Sequence, residues 1–475
     1  MQPSLRRELT FLSATAIVVS NMIGTGIFTT TGFLAGDLGQ PQLVLGIWLA
    51  GAVVALAGCL SYAELGINFP RSGGDYVFLR EAWGPAWGFL SGWISFFAGF
   101  AAPVAAGALA FSEYLSHFFP ALAIGAGQAA GGGVLGYLHF GRGQFVALGV
   151  VCAFAVVNIL GIHFAAKLQT ALTAMKLTVL ATFLVLAFTI GNGQWGHFHE
   201  SAARTSAHSV PAQFAVSLIF VMFAYSGWNA ATYVAEEMKT PERTLPWALV
   251  AGTGLVAFFY LALNVAFIYA LPLESLKGVV AVGAQSAGAL FGEDGGNVFS
   301  AVMAVGILSC VSAMVIVGPR VYYAMAKDGC FFSGAAKVHA KWRTPVHAII
   351  YQTLATGVMI LTGTFERLMY YIGFALILFA ALATAGIFRL RGRPGWKRLP
   401  AVSWGYPLVP GLFVCASAWM LTYTLFLRRT EALLGLLTMA SGALLYRLAF
   451  RPAGGSQAAR NADSSSSLSD RDSSG

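Results

Sequence analysis

The sequence predicts an all-α integral membrane protein of twelve transmembrane helices, the first and sixth of them broken. Three observations carry this. Of the 475 residues, 57% are hydrophobic and only 10% are charged, where a soluble domain carries roughly 25% charged residues. Apolar runs recur from end to end at bilayer length, a helix needing about 20 residues to cross the hydrocarbon. Glycines interrupt two of these runs, at Asn21-Met22-Ile23-Gly24-Thr25-Gly26-Ile27-Phe28 and at Phe223-Ala224-Tyr225-Ser226-Gly227-Trp228-Asn229. Backbone freed inside a span is tolerated only where it lines a protected cavity.

In chain order the spans cover 10–36, 41–67, 84–118, 144–163, 166–190, 211–237, 246–271, 294–325, 346–363, 367–389, 404–427 and 431–450. Several exceed the minimum length, so tilt or extension beyond the bilayer is expected. A membrane barrel would instead show alternating segments of about 10 residues. With the N-terminus inside, 21 of the 28 Lys and Arg fall in inside segments and 6 outside, Lys176 lying within a span. That asymmetry places both termini in the cytoplasm and accounts for the +9 net charge without a nucleic-acid partner. Cys59, Cys152, Cys310, Cys330 and Cys415 sit in or beside apolar runs with no metal-type spacing, as small buried hydrophobes do. The first apolar run ends in glycines with no A-x-A site, so no cleavable signal peptide is expected.

The outer loops near 119–143 and 191–210 are rich in Gly, Ala or Ser, and the loop at 272–293 has an apolar patch suited to a short surface helix. The tail 451–475 is dominated by Ser, Gly, Asp and Arg and is expected to be disordered and cytoplasmic. Five spans separate the two breaks, so a five-helix unit used twice is expected, its second copy inverted because five is odd. This divides the chain into a cytoplasmic segment 1–9, a first repeat 10–190, a second repeat 211–391 and two further helices in 401–450.

The breaks suit a zwitterion. A half-helix beginning near Phe28 offers unpaired N–H groups to a carboxylate. The half-helix ending near Met22, and the carbonyls around Phe223 and Ala224, can accept from an ammonium. Glycine at 24 and 26 lets a ligand reach the backbone without meeting a Cβ, and Thr25 adds a hydroxyl. The candidate substrate-binding residues are Ile23, Gly24, Thr25, Gly26, Ile27, Phe223, Ala224 and Ser226. The competing reading of Gly24-Thr25-Gly26 is a packing notch between helices. A dinucleotide fingerprint is excluded, because no strand precedes the glycines.

Lys176 lies roughly 15 Å from the start of span five at 1.5 Å per residue. An ionisable residue at that depth marks a functional path. It is either a fixed ammonium tying broken helix one to span eight, as a sodium ion would, or a group that exchanges its proton. The alternative is a lysine that snorkels to the surface. Glu236 and Glu237, ending the second broken helix, are either solvated or a gate ion pair. His197-Phe198-His199-Glu200 has metal-type residues but lies in an outer loop without cysteine, and no metal or cofactor is expected.

Asn21 to Phe28, with Tyr62-Ala63-Glu64-Leu65 and Phe69-Pro70-Arg71-Ser72-Gly73-Gly74-Asp75-Tyr76, resembles the amino acid–polyamine–organocation (APC) superfamily of permeases. Phe223 to Asn229 followed by Glu236-Glu237-Met238-Lys239-Thr240-Pro241-Glu242-Arg243-Thr244-Leu245-Pro246, and Trp404-Gly405-Tyr406-Pro407-Leu408-Val409-Pro410, is similar to its L-type amino acid transporter branch. The resemblance covers all but the tail. It implies a LeuT-type 5+5 inverted repeat with discontinuous helices 1 and 6, alternating access, and substrate at the breaks. It implies that Phe223 gates the site from outside. It also implies that Lys176 occupies the place of a sodium ion, which favours sodium-independent transport.

Two departures matter. The loop between spans three and four lacks the cysteine that heavy-chain-bound animal members carry, so no disulfide-linked heavy chain is expected. Ser226 stands where relatives taking cationic amino acids can place an acid. With no carboxylate evident at either break, a neutral L-amino acid is the expected substrate, moved by exchange or proton symport in a plasma or bacterial inner membrane. The alternatives are a cationic amino acid or polyamine carrier and a non-transporting amino acid sensor. An enzyme would need convergent acid, base or nucleophile residues inside the bilayer, and only Lys176 lies deep.

Overall fold

The computed structural model describes residues 5–116, 118–119, 122, 128–129, 139–279, 282–362, 365–399, 405–427 and 429–450. The tail and most of the 119–143 loop therefore lie outside the described residues, as does Trp404. Among the described residues the regular structure is helical apart from a two-residue antiparallel pairing, Gln128–Ala129 with His139–Phe140, and an isolated parallel bridge between Leu9 and Met238.

The first span is two helices, α1 (Phe11–Met22) and α2 (Gly26–Leu38). The Thr10 side chain caps α1 by accepting from Ser13 N, satisfying one of its free amides. Gly39, at φ +70°, ends α2 in the left-handed conformation that glycine adopts cheaply. Then come α3 (Pro41–Asn68), the short α4 (Asp75–Trp83), α5 (Pro85–Ile94) and α6 (Ala102–Ser116), the last two joined by a π-helical turn at Ser95–Ala101. α7 (Arg142–Ile159) and α8 (Ile162–Thr189) complete the first half.

The second half opens with α9 (Val210–Ala224), which stops at the second break. The rest of the expected span 211–237 is not α-helix: Ala230–Glu237 is a 3-10 segment with Val234 outside helical angles. The Gly227 turn, at φ +95°, and the Thr232 hydroxyl donating to the Asn229 carbonyl at 2.7 Å hold this tighter winding. α10 (Pro241–Ala270) starts on a proline, where the missing N–H costs nothing, and packs along α3 and α1. The expected loop helix is present as α11 (Leu273–Leu276) and α12 (Val282–Phe291). α13 (Glu293–Lys327) runs the depth of the bundle against α6, α8 and α12. α14 (Val346–Thr362), α15 (Phe365–Leu390) and the helices Leu408–Leu427 and Arg429–Leu445 follow.

Among the described residues, nine helices are long and apolar enough to cross a membrane, counting Phe11–Leu38 as one. Val210–Ala224, Val346–Leu361 and Gly435–Phe450 are shorter apolar helices. Trp48, Tyr225 and Tyr260 cluster in the core with ring centroids 5.0 to 5.9 Å apart. Large apolar side chains also point outward, among them Phe164, Val185, Phe258, Leu354 and Leu437, each more than half exposed. A surface so apolar needs a hydrocarbon surrounding.

Candidate functional site

The two breaks meet at the centre of the bundle. A Cβ on Gly26 would stand 2.8 Å from Ala224 Cα and 2.9 Å from its Cβ, so only glycine lets the start of α2 lie against the end of α9. A Cβ on Gly227 would stand 2.6 Å from Asn21 Cβ. Each break is thus packed on the other. Gly26 is a packing notch as well as a cavity wall.

A cavity of about 50 Å³ lies beside this contact, walled by Gly24, Thr25, Gly26, Phe223, Ala224 and Ser226, with Pro103 and Gly107 of α6 and Cys310 and Met314 of α13 opposite. Six of the eight residues singled out in the sequence line it. Ile23 and Ile27 do not: both side chains are buried in the apolar core, because the backbone directions at the break turn them away. What Ile23 presents is its carbonyl.

The polar groups of the backbone divide as follows. Among the described residues, no group accepts from the amides of Gly24, Thr25, Gly26 and Ile27, whereas Phe28 N–H donates back to the Thr25 carbonyl at 3.1 Å. The donor end of the half-helix therefore begins before Phe28, at Gly26. Facing it, the Tyr260 hydroxyl is 2.6 Å from the Met22 carbonyl and 2.9 Å from the Ala224 carbonyl, sharing its one proton between the two broken helices. The Ile23 carbonyl accepts from Lys176 Nζ at 2.6 Å, and the Asn21 carbonyl from the Cys310 thiol at 3.8 Å. A carbonyl has two lone pairs, so each can take a further donor.

Lys176 is only 4% exposed, which overturns the snorkelling alternative. Its ammonium reaches broken helix one but makes no hydrogen bond to α13, the link to span eight that one of its two readings offered. That link is made by hydroxyls: Ser20 Oγ is 2.6 Å from both Thr173 Oγ1 of α8 and Ser309 Oγ of α13.

At the end of the bundle that holds the N-terminal segment, the Glu237 carbonyl accepts from the amides of Glu8 and Leu9 at 3.0 and 2.9 Å. The Glu237 side chain is fully buried and accepts from Arg320 Nε at 2.8 Å, while Arg320 Nη1 donates to Asn158 Oδ1 at 3.2 Å. Arg320 lies inside α13. Of the two acids, Glu237 is thus a buried ion pair. Glu236 is half-buried, accepts from Ser72 N at 3.4 Å and stands 3.8 Å from Lys327 Nζ. Asp328 accepts from Arg71 at 3.1 Å and from the Tyr76 hydroxyl at 3.0 Å, and pairs with Arg80. His197 Nδ1 lies 3.2 Å from the carbonyls of Ile268 and Tyr269, which ties the outer loop to α10.

A profile of the amino acid permease family matches residues 9–434. The chain belongs to the amino acid permease family. The matched stretch takes in both breaks, Lys176 and the Glu237–Arg320 pair. Over 452 residues this permease is 30% identical to the serine/threonine exchanger SteT of Bacillus subtilis, covering 93% of this chain and 96% of that protein. It is 29% identical over 456 residues to the mouse large neutral amino acids transporter small subunit 2, covering 94% and 81%. It is 28% identical over 456 residues to the human cystine/glutamate transporter, covering 94% and 85%. The family and these relatives are transporters rather than enzymes.

Two residues carry no signal of their role in the sequence. Tyr260 resembles any aromatic in a span. Only the rule that a buried phenol seeks a partner hints at it, and the partner is invisible in sequence. Asp75, named in the sequence only as part of the Phe69–Tyr76 motif, is buried, and its Oδ2 lies 3.4 Å from Asn229 Nδ2 of the second break. The expectation that no carboxylate stands by either break is corrected on this point. Asp75 and Asn229 line a second cavity of about 100 Å³ that adjoins the first.

Proposed function

We propose that this permease moves a neutral L-amino acid across a plasma or bacterial inner membrane by alternating access. The observation that carries this is the juxtaposition of three free amides, at Gly24, Thr25 and Gly26, with the carbonyls of Met22 and Ala224 around one cavity. The amides favour the carboxylate of a zwitterion through their aligned dipoles, and the carbonyls favour its ammonium. Gly24, Thr25, Gly26, Phe223, Ala224 and Ser226 form the binding surface, Ile23 and Ile27 contribute backbone, and Phe223 is the gate. The names of the relatives, a serine/threonine exchanger and a large neutral amino acid transporter, support a neutral substrate.

In this reading twelve spans form two inverted five-helix repeats, 10–190 and 211–391, followed by two further helices in 401–450, with both termini cytoplasmic. The N-terminal segment and the Glu237–Arg320 pair then close the cytoplasmic side. Lys176 supplies the fixed positive charge on broken helix one that a sodium ion would otherwise provide, which makes transport sodium-independent. No disulfide-linked heavy chain is required.

Uptake of radiolabelled serine, threonine, alanine and leucine into proteoliposomes tests this. Saturable uptake, independent of sodium, is expected. Saturable arginine transport with none of the four would overturn the neutral assignment, and binding without flux would make the protein a sensor. Flux measured with and without internal amino acid, across a pH gradient, separates exchange from proton symport.

A further inference from the structure

Five carboxylate, ammonium or guanidinium side chains are buried among the described residues: Glu64, Asp75, Lys176, Glu237 and Arg320. Glu64 pairs with Arg391 at 2.6 Å, Glu237 pairs with Arg320, and Lys176 has the Ile23 carbonyl. Asp75 has no cation. Its Oδ2 accepts from the Tyr233 hydroxyl at 2.8 Å and from Asn229 at 3.4 Å. No described group stands in hydrogen-bonding geometry to its Oδ1; the Tyr62 hydroxyl, which has no other partner, lies close enough to act on the carboxylate as a further neutral donor.

A carboxylate that is only 6% exposed and meets only neutral donors is costly. It becomes favourable when a cation arrives. The cavity it lines has room for more than a proton, about 100 Å³, and its other walls include Phe100, Phe223, Trp228, Tyr233 and Phe413. Aromatic faces attract an organic cation through their negative ring charge. A carboxylate oxygen without a partner, in an aromatic hollow, matches a primary ammonium on a short alkyl stem. Position adds to this. The cavity shares Asn21, Pro103, Phe223, Ser226 and Met314 with the one at the breaks.

We propose that Asp75 is a second ammonium station beside the substrate cavity, where a primary alkylammonium docks on Oδ1 within the aromatic walls. The proposal rests on reading the breaks as the substrate site. Two sources supply such a group: the α-ammonium of a substrate in passage, or the side-chain ammonium of a diamino acid whose α-groups stay on the breaks.

The probe is n-butylamine, which has the ammonium but no carboxylate for the break amides, with n-butanol as the neutral control. Butylamine is expected to inhibit serine exchange in proteoliposomes at concentrations where butanol does not. In Asp75→Asn the inhibition constant, referred to that variant's own serine exchange, is expected to weaken about tenfold or more, the loss of one charge-assisted bond. Lysine exchange by the wild type that disappears in Asp75→Asn assigns the station to side-chain ammonium groups. No lysine exchange, with a changed serine KM in Asp75→Asn, assigns it to the α-ammonium. Equal effects of butylamine and butanol, or equal butylamine sensitivity in wild type and variant, overturn the proposal. Thermal stabilisation of the purified wild type by butylamine over butanol reads the same binding without the variant and without flux. Absence of serine, threonine, alanine and leucine flux in the wild type counts against the transport reading alone.

Discussion

Lys176 Nζ donates to the Ile23 carbonyl at 2.6 Å, so a lysine in the middle of α8 fixes the last turn of the first broken helix. Replacing it removes a charge-assisted bond and leaves a buried carbonyl short of a donor. Lys176→Ala is expected to keep its elution profile on size exclusion while losing about tenfold or more of its transport rate. Wild-type flux in that variant would remove the role assigned to the lysine.

Tyr260 joins Met22 and Ala224, one carbonyl from each break. Tyr260→Phe keeps the ring packing against Trp48 and Tyr225 and deletes only the bridge. We expect stability to fall by about 1 kcal/mol and the apparent substrate affinity to fall with it, as the two breaks lose their shared donor. An unchanged KM with an unchanged melting temperature would show that the bridge is dispensable.

Gly26 has no space for a side chain on its Ala224 side. Gly26→Leu is therefore expected to abolish substrate binding by pushing α2 away from α9 as well as by filling the cavity. Gly24 is the milder probe, since a Cβ there meets only the Cys310 thiol, at 3.2 Å. Equilibrium binding of labelled serine in detergent should rank wild type above Gly24→Ala, and Gly24→Ala above Gly26→Leu. Undiminished binding in Gly26→Leu would count against the site.

The Glu237–Arg320 pair is fully buried. Removing one partner strands a charge, which costs about 3–5 kcal/mol, whereas replacing both with apolar residues of similar size is often neutral. Arg320→Met should therefore unfold at lower temperature than the double variant Arg320→Met, Glu237→Leu. The opposite order would mean that Glu237 without its partner is tolerated better than an apolar residue in its place.

Asp75 carries a pH signature. Burial pushes its carboxyl up from the ordinary value, against the opposing effect of donors on Tyr62, Tyr233 and Asn229. The groups facing it are Tyr62 of α3 and Tyr233 and Asn229 after the second break, with Tyr322 of α13 beside Tyr233. A raised value in the folded state means that wild-type stability falls as pH rises from the ordinary carboxyl range through the raised one. Asp75→Asn is therefore expected to melt above the wild type at pH 7, the gap closing as pH falls. A gap independent of pH would show that the carboxyl does not titrate in this window.

Helix positions and the two breaks were legible in the sequence because each depends on local quantities: the length of an apolar run, and glycine within it. Expected and observed limits differ by a few residues for most spans, and six of eight break residues line the cavity. The core-buried side chains of Ile23 and Ile27 were not legible, because spacing along the chain does not say which way a side chain turns once the helix is interrupted. Lys176 stood out by charge and depth alone.

The sequence by itself determined that this chain is an apolar helical membrane protein with two interrupted helices and a deep lysine, since hydropathy and backbone freedom are properties of single segments. The tertiary structure decided which groups meet: Tyr260 with two carbonyls, Arg320 with Glu237, and Asp75 with the second break. Those pairings join residues from 36 to 238 positions apart. Their energies come from distance and desolvation in space, quantities that no local pattern of residues contains.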